Sequence, residues 1–320
     1  MRENPIGRRS LLKAGVAAFA AARVLRIESV HAQFAVPNST GSEAASLKAP
    51  PGACDCHHHI YDAARFAPAD PNARMQTNAS VAEYRLLQRR LGITRDIVVT
   101  PAPYVIDNRV TLDALAQLGP NARAVVMVHP EISEAELKAM DAAGVRGVRF
   151  SIADAAIANT RVEMIEPLSK RIAALGWHVQ INMGPEAIAA TNTLWNRLPS
   201  GIVFDHMGHL PQPAGISHPA YEVIRRLIDK GRTWVKLSVT YDNTKDGPPG
   251  YADITRVAQA YVAAAPERML WGSNWPHPNE TKKPNDAMVF DLMAQWAPDD
   301  AMRRRILVEN PENLYGFDRV

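Results

Sequence analysis

The sequence predicts an α/β chain folded as a (β/α)8 TIM barrel, and two patterns carry that prediction. Eight short runs rich in β-branched residues alternate with helical patterns at a spacing of roughly 30 residues, the repeat expected of strand, crossover helix and loops. The polar residues with the most chemistry stand at the C-terminal ends of those runs, the face on which barrel enzymes build their sites. A doubly wound open sheet would more naturally place a glycine-rich dinucleotide turn after its first strand, and none is present.

The first strand is read at residues 53–59, ACDCHHH, and the second at 95–100, RDIVVT. Between them SVAEYRLLQRRL begins with Ser80 and carries Glu83 three residues on, the start signal of a capped helix. RAVVMVH at 123–129 and VRGVRFS at 145–151 follow, separated by SEAELKAMDAA from Ser133, which repeats that signal. RVEMIEPLSKRIAAL from Arg161 leads to HVQINM at 178–183, and GIVFDHM at 201–207 is the sixth strand. HPAYEVIRRLIDK from His218 precedes TWVKLSVTY at 233–241, and YADITRVAQAYVAAA from Tyr251 precedes RMLWGSNW at 268–275.

A chain of 320 residues fits one barrel domain plus appendages, so the length requires no second domain. Of the formal charge of +3, the first 32 residues contribute +4, through six basic side chains against two acidic ones. The remainder is close to neutral with no block of Lys and Arg, which leaves no electrostatic case for a nucleic-acid partner.

GRRSLLKAG at residues 7–15 sets Arg8 and Arg9 before an apolar run at 16–22, and VHA at 30–32 supplies small residues two apart ahead of Gln33. The pattern resembles a bacterial twin-arginine signal, which implies handling by the twin-arginine export machinery and a periplasmic location. The boundaries read as a signal at 1–32, a Ser/Ala/Pro/Gly-rich linker at 33–50 and a barrel domain at 51–320. Cys54 and Cys56, the only cysteines, sit one residue apart, a poor geometry for a disulfide, and are read as buried packing residues.

DCHHHIYD at 55–62 poses the central chemical question, because it holds three of the ten histidines. Period-two alternation places Asp55, His57 and His59 on one face of the strand and Cys54, Cys56 and His58 on the other, so that only His57 and His59 can share a site. His58 is then expected to point at the helix layer. Lys236 is read as an internal partner of Asp205 or Asp55, and Trp271 and Trp275 as packing against helices.

An HxH pair at the end of a first barrel strand, with GVRF, DHMG, VKLS and GSNWPHP following in strand order, resembles the amidohydrolase superfamily over roughly residues 52–318. It resembles in particular the amidohydrolase-related (amidohydrolase 2) branch of pyrone-dicarboxylate lactonases, muconolactone hydrolases and sugar-acid lactone isomerases. The resemblance implies that His57, His59 and His206 polarise a carbonyl or hold a divalent metal, zinc or manganese. It implies that Arg149 grips a substrate carboxylate, a task suited to its fixed fork of donors. Asn182, His209, Tyr241 and His277 complete the expected substrate-binding set, and Asn274 is counted with the catalytic residues. The implied substrate is a small carboxylated lactone, and a homo-oligomer is compatible with such a barrel.

Departures from the family pattern bear on mechanism. Asn274 stands where relatives carry an aspartate, Asn182 where a histidine is frequent, and His209 where an arginine commonly follows DHMG. An amide is a weak neutral ligand and no base near neutral pH. Metal-assisted and metal-free routes therefore both stand open, and three functions follow from the resemblance. Lactone hydrolysis leads, lactone isomerisation on the same scaffold is the alternative, and a lapsed small-acid binding protein is the third.

Overall fold

A computed structural model describes residues 35–69, 71–152 and 160–320, and the expected signal at 1–32 lies outside them. Eight parallel strands form one sheet in sequential order: β1 (Cys54–His58), β2 (Arg95–Val99), β3 (Ala122–Val126), β4 (Val145–Ser151), β5 (His178–Asn182), β6 (Gly201–Phe204), β7 (Thr233–Leu237) and β8 (Met269–Trp271). Beyond β8 the chain closes the ring through two backbone hydrogen bonds, from Asn274 N–H to the His57 carbonyl at 2.7 Å and from His59 N–H to the Trp275 carbonyl at 2.8 Å. The predicted (β/α)8 barrel is what forms.

The helices are α1 (Val81–Leu91), α2 (Arg109–Leu118), α3 (Glu134–Ala143), α4 (Ile165–Ile172), α5 (Pro185–Ala190) and α6 (Asn192–Trp195). They continue with α7 (Pro219–Asp229), α8 (Ala252–Ala264), α9 (Asp286–Asp291), α10 (Met293–Trp296), α11 (Asp300–Arg304) and α12 (Asn310–Tyr315). Both start signals read from the sequence are built: Ser80 with Glu83 and Ser133 with Glu136 form reciprocal capping boxes on α1 and α3. The seventh and eighth strands end earlier than expected, at Leu237 and Trp271, and left-handed backbone follows at Val239 and Asn274. Such backbone cannot extend a parallel ladder.

Two apolar layers divide the residues of each strand. Val98, Val126, Val148, Val179 and Phe204 belong to the layer shared with the helices. Cys54, Cys56, Ile97, Val99, Val125, Val203 and Leu270 form the barrel's own filling, with Tyr315 and Phe317 of the C-terminal segment packed into it. Both cysteines are free and buried.

That division corrects the expected parity of the first strand. Cys54 pairs with Arg95, Asp55 with Asp96 and His58 with Val98, so β1 spends two residues, Cys56 and His57, where β2 spends only Ile97. This bulge turns Cys56 and His57 both inward and sends Asp55 out, with the Tyr84 hydroxyl of α1 bonding it at 3.1 Å. Asp55 does not share a face with His57 and His59. It clamps the end of β8 instead, accepting from the Ser273 N–H at 2.9 Å and the Ser273 hydroxyl at 2.6 Å. His58 points outward as expected, bonded to Asp96 at 2.9 Å and stacked on Tyr84. Gly272 permits the close approach of β8 to β1, since a Cβ there would stand 2.7 Å from that of His57.

Residues 35–50, expected as a linker, form no helix or strand and run as a strap over the barrel. The buried Arg90 guanidinium ties this segment down at Ser39, Thr40 and Glu43, and the Trp275 indole N–H donates to the Pro37 carbonyl at 2.7 Å. Trp271 packs on Phe290 of α9 and Trp275 on Tyr84, the packing roles expected of them. No helix among the described residues is long and apolar enough to cross a membrane.

Candidate active site

A cavity of about 1020 Å³ opens at the C-terminal mouth of the barrel. His59, Arg149, Asn182, His206, His209, Tyr241, Asn274 and His277 all line it, and His57 lies directly beneath at 0% exposure. Six of the eight strand ends supply them, which is how residues up to 220 positions apart meet. The backbone is strained where it does so. His206, His209, Val239, Asn274 and His277 have φ between 52° and 61°, the left-handed region, and every one of them borders the cavity. Non-glycine residues held there cost about 1–3 kcal/mol each and persist only where the surroundings dictate it.

The floor of the cavity is a largely buried polar cluster. His57 Nε2 and His59 Nε2 are 3.3 Å apart, and His59 Nδ1 meets the Val99 carbonyl at 2.8 Å. A carbonyl only accepts, so His59 Nδ1 carries the proton and its Nε2 presents a lone pair. His206 Nδ1 lies 2.8 Å from the Ser238 hydroxyl, which can donate or accept and so leaves His206 Nε2 free to do either. Burial first, and the Arg149 charge second, push His59 down to about 3. Burial, reinforced by the Lys236 charge, likewise holds His57 well below the ordinary histidine value, and burial does the same for His206. All three imidazoles are neutral near pH 7.

Asp205 sits at the centre of this floor, fully buried. It accepts from Arg149 Nε at 3.0 Å and Gln180 Nε2 at 3.1 Å, with Lys236 Nζ at 3.6 Å and His57 Nδ1 at 3.2 Å from its other oxygen. Burial pushes its carboxyl up, but the Lys236 ammonium and the Arg149 guanidinium, with the His57 ring alongside, outweigh burial and hold it well below the carboxylate range. Burial lowers Lys236 to about 8, against the pull of Asp205. The ammonium donates to Gln180 at 2.7 Å and reaches His57 Nδ1 at 3.2 Å. Lys236 is thus the internal partner of Asp205 expected from the sequence.

The donor set fits a single divalent ion, and one buried atom argues for it. His57, Asp205 and His206 can each bring a ligand atom within 4.8 Å of the others, and His59 Nε2 faces His57 Nε2. Each histidine binds protein through Nδ1, the arrangement that orients imidazole ligands. Asp205 Oδ1 has no hydrogen-bond partner among the described residues, although His57 Nδ1 is 3.2 Å away. With His57 protonated on Nδ1, that oxygen gains its partner and both Nε2 lone pairs turn to the ion. With His57 protonated on Nε2, Lys236 donates to Nδ1, His57 donates to His59, and the nitrogens are satisfied without an ion.

Further out, Asn182 donates to the Ser151 hydroxyl at 3.0 Å and accepts from His209 Nε2 at 2.7 Å. His209 Nδ1 lies 3.3 Å from Asp242. Asn274 Nδ2 donates to the Tyr241 hydroxyl at 3.0 Å. Sequence reading did not single out Gln180, Ser238, Tyr61 or Arg74, of which Tyr61 and Arg74 line the cavity. Gln180 shares strand parity with Asn182, and Ser238 shares it with Lys236, a signal that could have found both.

A family model for proteins described as amidohydrolases matches residues 54–317. The chain is 32% identical over 284 residues to 2-pyrone-4,6-dicarboxylate hydrolase of Comamonas testosteroni, covering 86% of this chain and 93% of that protein. It is 32% identical over 278 residues to D-galactarolactone isomerase of Agrobacterium fabrum, covering 85% and 93%. Among solved structures, an apo protein of Agrobacterium tumefaciens superposes with a TM-score of 0.81 at 30% identity, covering 88% of this chain and 99% of that one.

Proposed function

The chain belongs to the amidohydrolase family, and from that premise we propose that it is a hydrolase opening a small carboxylated lactone by carbonyl polarisation and water attack. The observation that carries the proposal is the placement of Arg149. Its Nε is spent on Asp205, which fixes the guanidinium at the cavity wall and leaves the two terminal nitrogens to meet a substrate carboxylate as a planar fork. A lactone held there lies over His59 and His206, with His57 beneath.

His206, taking a hydrogen bond from Ser238 on Nδ1, presents Nε2–H to the lactone carbonyl oxygen, where negative charge grows as the nucleophile adds. Lys236 and Arg149, both buried, add positive potential to the same region. Where a divalent metal occupies the site, His57, His59 and His206 would hold it, and it would supply Lewis acidity to the carbonyl. The neutral state of the three imidazoles serves either route.

Asn274 favours lactone isomerisation as a second reading. An amide at the end of β8 removes the expected base for water, whereas ring migration uses the substrate's own hydroxyl and returns every proton it borrows. Both readings include export through the Arg8–Arg9 signal to the periplasm.

Incubating the purified protein with 2-pyrone-4,6-dicarboxylate and with D-galactarolactone, with and without zinc or manganese, tests the proposal. Ring opening supports the hydrolase, and interconversion of lactones without net acid release supports the isomerase. No turnover of either, combined with saturable binding of the lactone, would identify a binding protein and sink the leading reading.

A further inference from the structure

We propose that Tyr241, His277 and Asp286 form a proton relay in the cavity wall, with Tyr241 taking the acid–base role that Asn274 cannot fill. This rests on the lactone reading for its substrate but on geometry for its existence. Asp286 opens α9 and is 1% exposed. Its Oδ2 lies 3.1 Å from His277 Nε2, and His277 Nδ1 lies 2.8 Å from the Tyr241 hydroxyl. The three residues come from the loop after β7, the loop after β8 and the next helix, so no contiguous motif announces them.

The partners fix the direction of each bond. An ionised carboxylate only accepts, so His277 carries its proton on Nε2 and offers the Nδ1 lone pair to Tyr241 O–H. The phenol oxygen in turn accepts from Asn274 Nδ2 at 3.0 Å and keeps acceptor capacity for a group in the cavity it lines. An amide at position 274 suits this arrangement where an aspartate would not, because a second anion beside the phenol would oppose any charge gathering there. His277 is held in place by its left-handed backbone and by Lys283, whose ammonium donates to its carbonyl at 2.7 Å. Asp286 Oδ1 has no hydrogen-bond partner among the described residues, so the carboxylate is buried with part of its capacity unused, a costly placement that calls for a purpose. The other charged groups facing the relay are Glu280, Asp242, Lys283 and the buried Arg90, whose guanidinium lies on the Asp286 side and bonds the neighbouring Asn285.

The proton balance closes. As the nucleophile's oxygen bonds to the lactone carbonyl carbon, its proton passes to Tyr241 Oη while the Tyr241 proton passes to His277 Nδ1, and the carbonyl π pair moves onto oxygen. When the ring C–O bond breaks, the departing alkoxide takes a proton from Tyr241 Oη, which recovers one from His277. The relay ends as it began, whether the nucleophile is water or a substrate hydroxyl.

The test uses the full chain and two readouts. With 2-pyrone-4,6-dicarboxylate and D-galactarolactone as substrates, Tyr241→Phe is expected to lower kcat about 100-fold or more with KM changed only a few-fold. Asp286→Asn is expected to lower kcat and shift its pH profile, and Asp286→Glu to restore part of the loss, which a merely structural carboxylate would not do. In 15N-histidine-labelled protein, NMR is expected to find His277 as the Nε2–H tautomer, and Asp286→Asn to shift it toward Nδ1–H. Undiminished kcat in Tyr241→Phe, or an Nδ1–H tautomer in the unaltered protein, overturns the relay. If neither lactone is turned over while the tautomer is as stated, the lactone reading fails and the relay stands on the NMR result.

Discussion

His57 and His59 face each other through their Nε2 atoms at 3.3 Å, with Lys236 on the far nitrogen of His57 at 3.2 Å. Two neutral imidazoles this close share either a proton or a metal ion. Lys236 and Arg149 oppose the ion, since like unit charges about 4 Å apart repel by about 4 kcal/mol at an effective dielectric constant of about 20. Lys236→Gln is therefore expected to tighten zinc binding by about tenfold or more in titration calorimetry. Unchanged affinity would show that the ammonium does not govern the site.

Asn274→Asp replaces the donor to Tyr241 with an anion. The expected result is a loss of about tenfold or more in kcat, from the lost hydrogen bond and the charge beside the phenol. A gain in hydrolysis would instead mean that the chain had simply lost its ancestral base.

Arg149→Lys keeps the charge but discards the planar fork and its Nε bond to Asp205. Hydrogen bonds to charged groups contribute about 1.5–3 kcal/mol, so KM for a carboxylated lactone should rise about tenfold or more. Steady-state kinetics on a matched lactone lacking the carboxylate should show little further change; an equal rise for both substrates would dissociate Arg149 from carboxylate recognition.

Asp253, in the first turn of α8, accepts from Thr244 Oγ at 2.6 Å and from the N–H groups of Lys245 at 2.6 Å and Ile254 at 2.8 Å. Burial pushes its carboxyl up, but these donors prevail and hold it below the ordinary value. The folded pKa is depressed, so the stabilisation is fully present above the unfolded value of about 3.9 and is lost as pH falls through the folded one. Asp253→Asn should cost about 1 kcal/mol in denaturant melts at pH 7, and the gap should close in strong acid. A gap that persists there would place the effect in packing rather than ionisation.

The proposed export provides a prediction independent of the barrel. Replacing Arg8 and Arg9 by lysine should retain the protein in the cytoplasm, as read by cell fractionation and immunoblot. Unaltered periplasmic recovery would remove the twin-arginine proposal.

The sequence by itself determined the barrel and the place of its mouth, because hydrophobic periodicity and strand-end chemistry are local properties that survive any arrangement in space. It also determined that His57 and His59 face one another and that His58 does not join them. Tertiary structure decided the rest. The bulge that turns Cys56 and His57 inward together is a mismatch between β1 and β2, invisible in either strand alone, and it broke the parity argument for Asp55. The turn of Asp205 into the floor depends on Arg149, Gln180 and Lys236 arriving from three other strands. Tyr241, His277 and Asp286 meet because left-handed backbone at Val239, Asn274 and His277 redirects two loops, and only the closed ring holds such backbone in place.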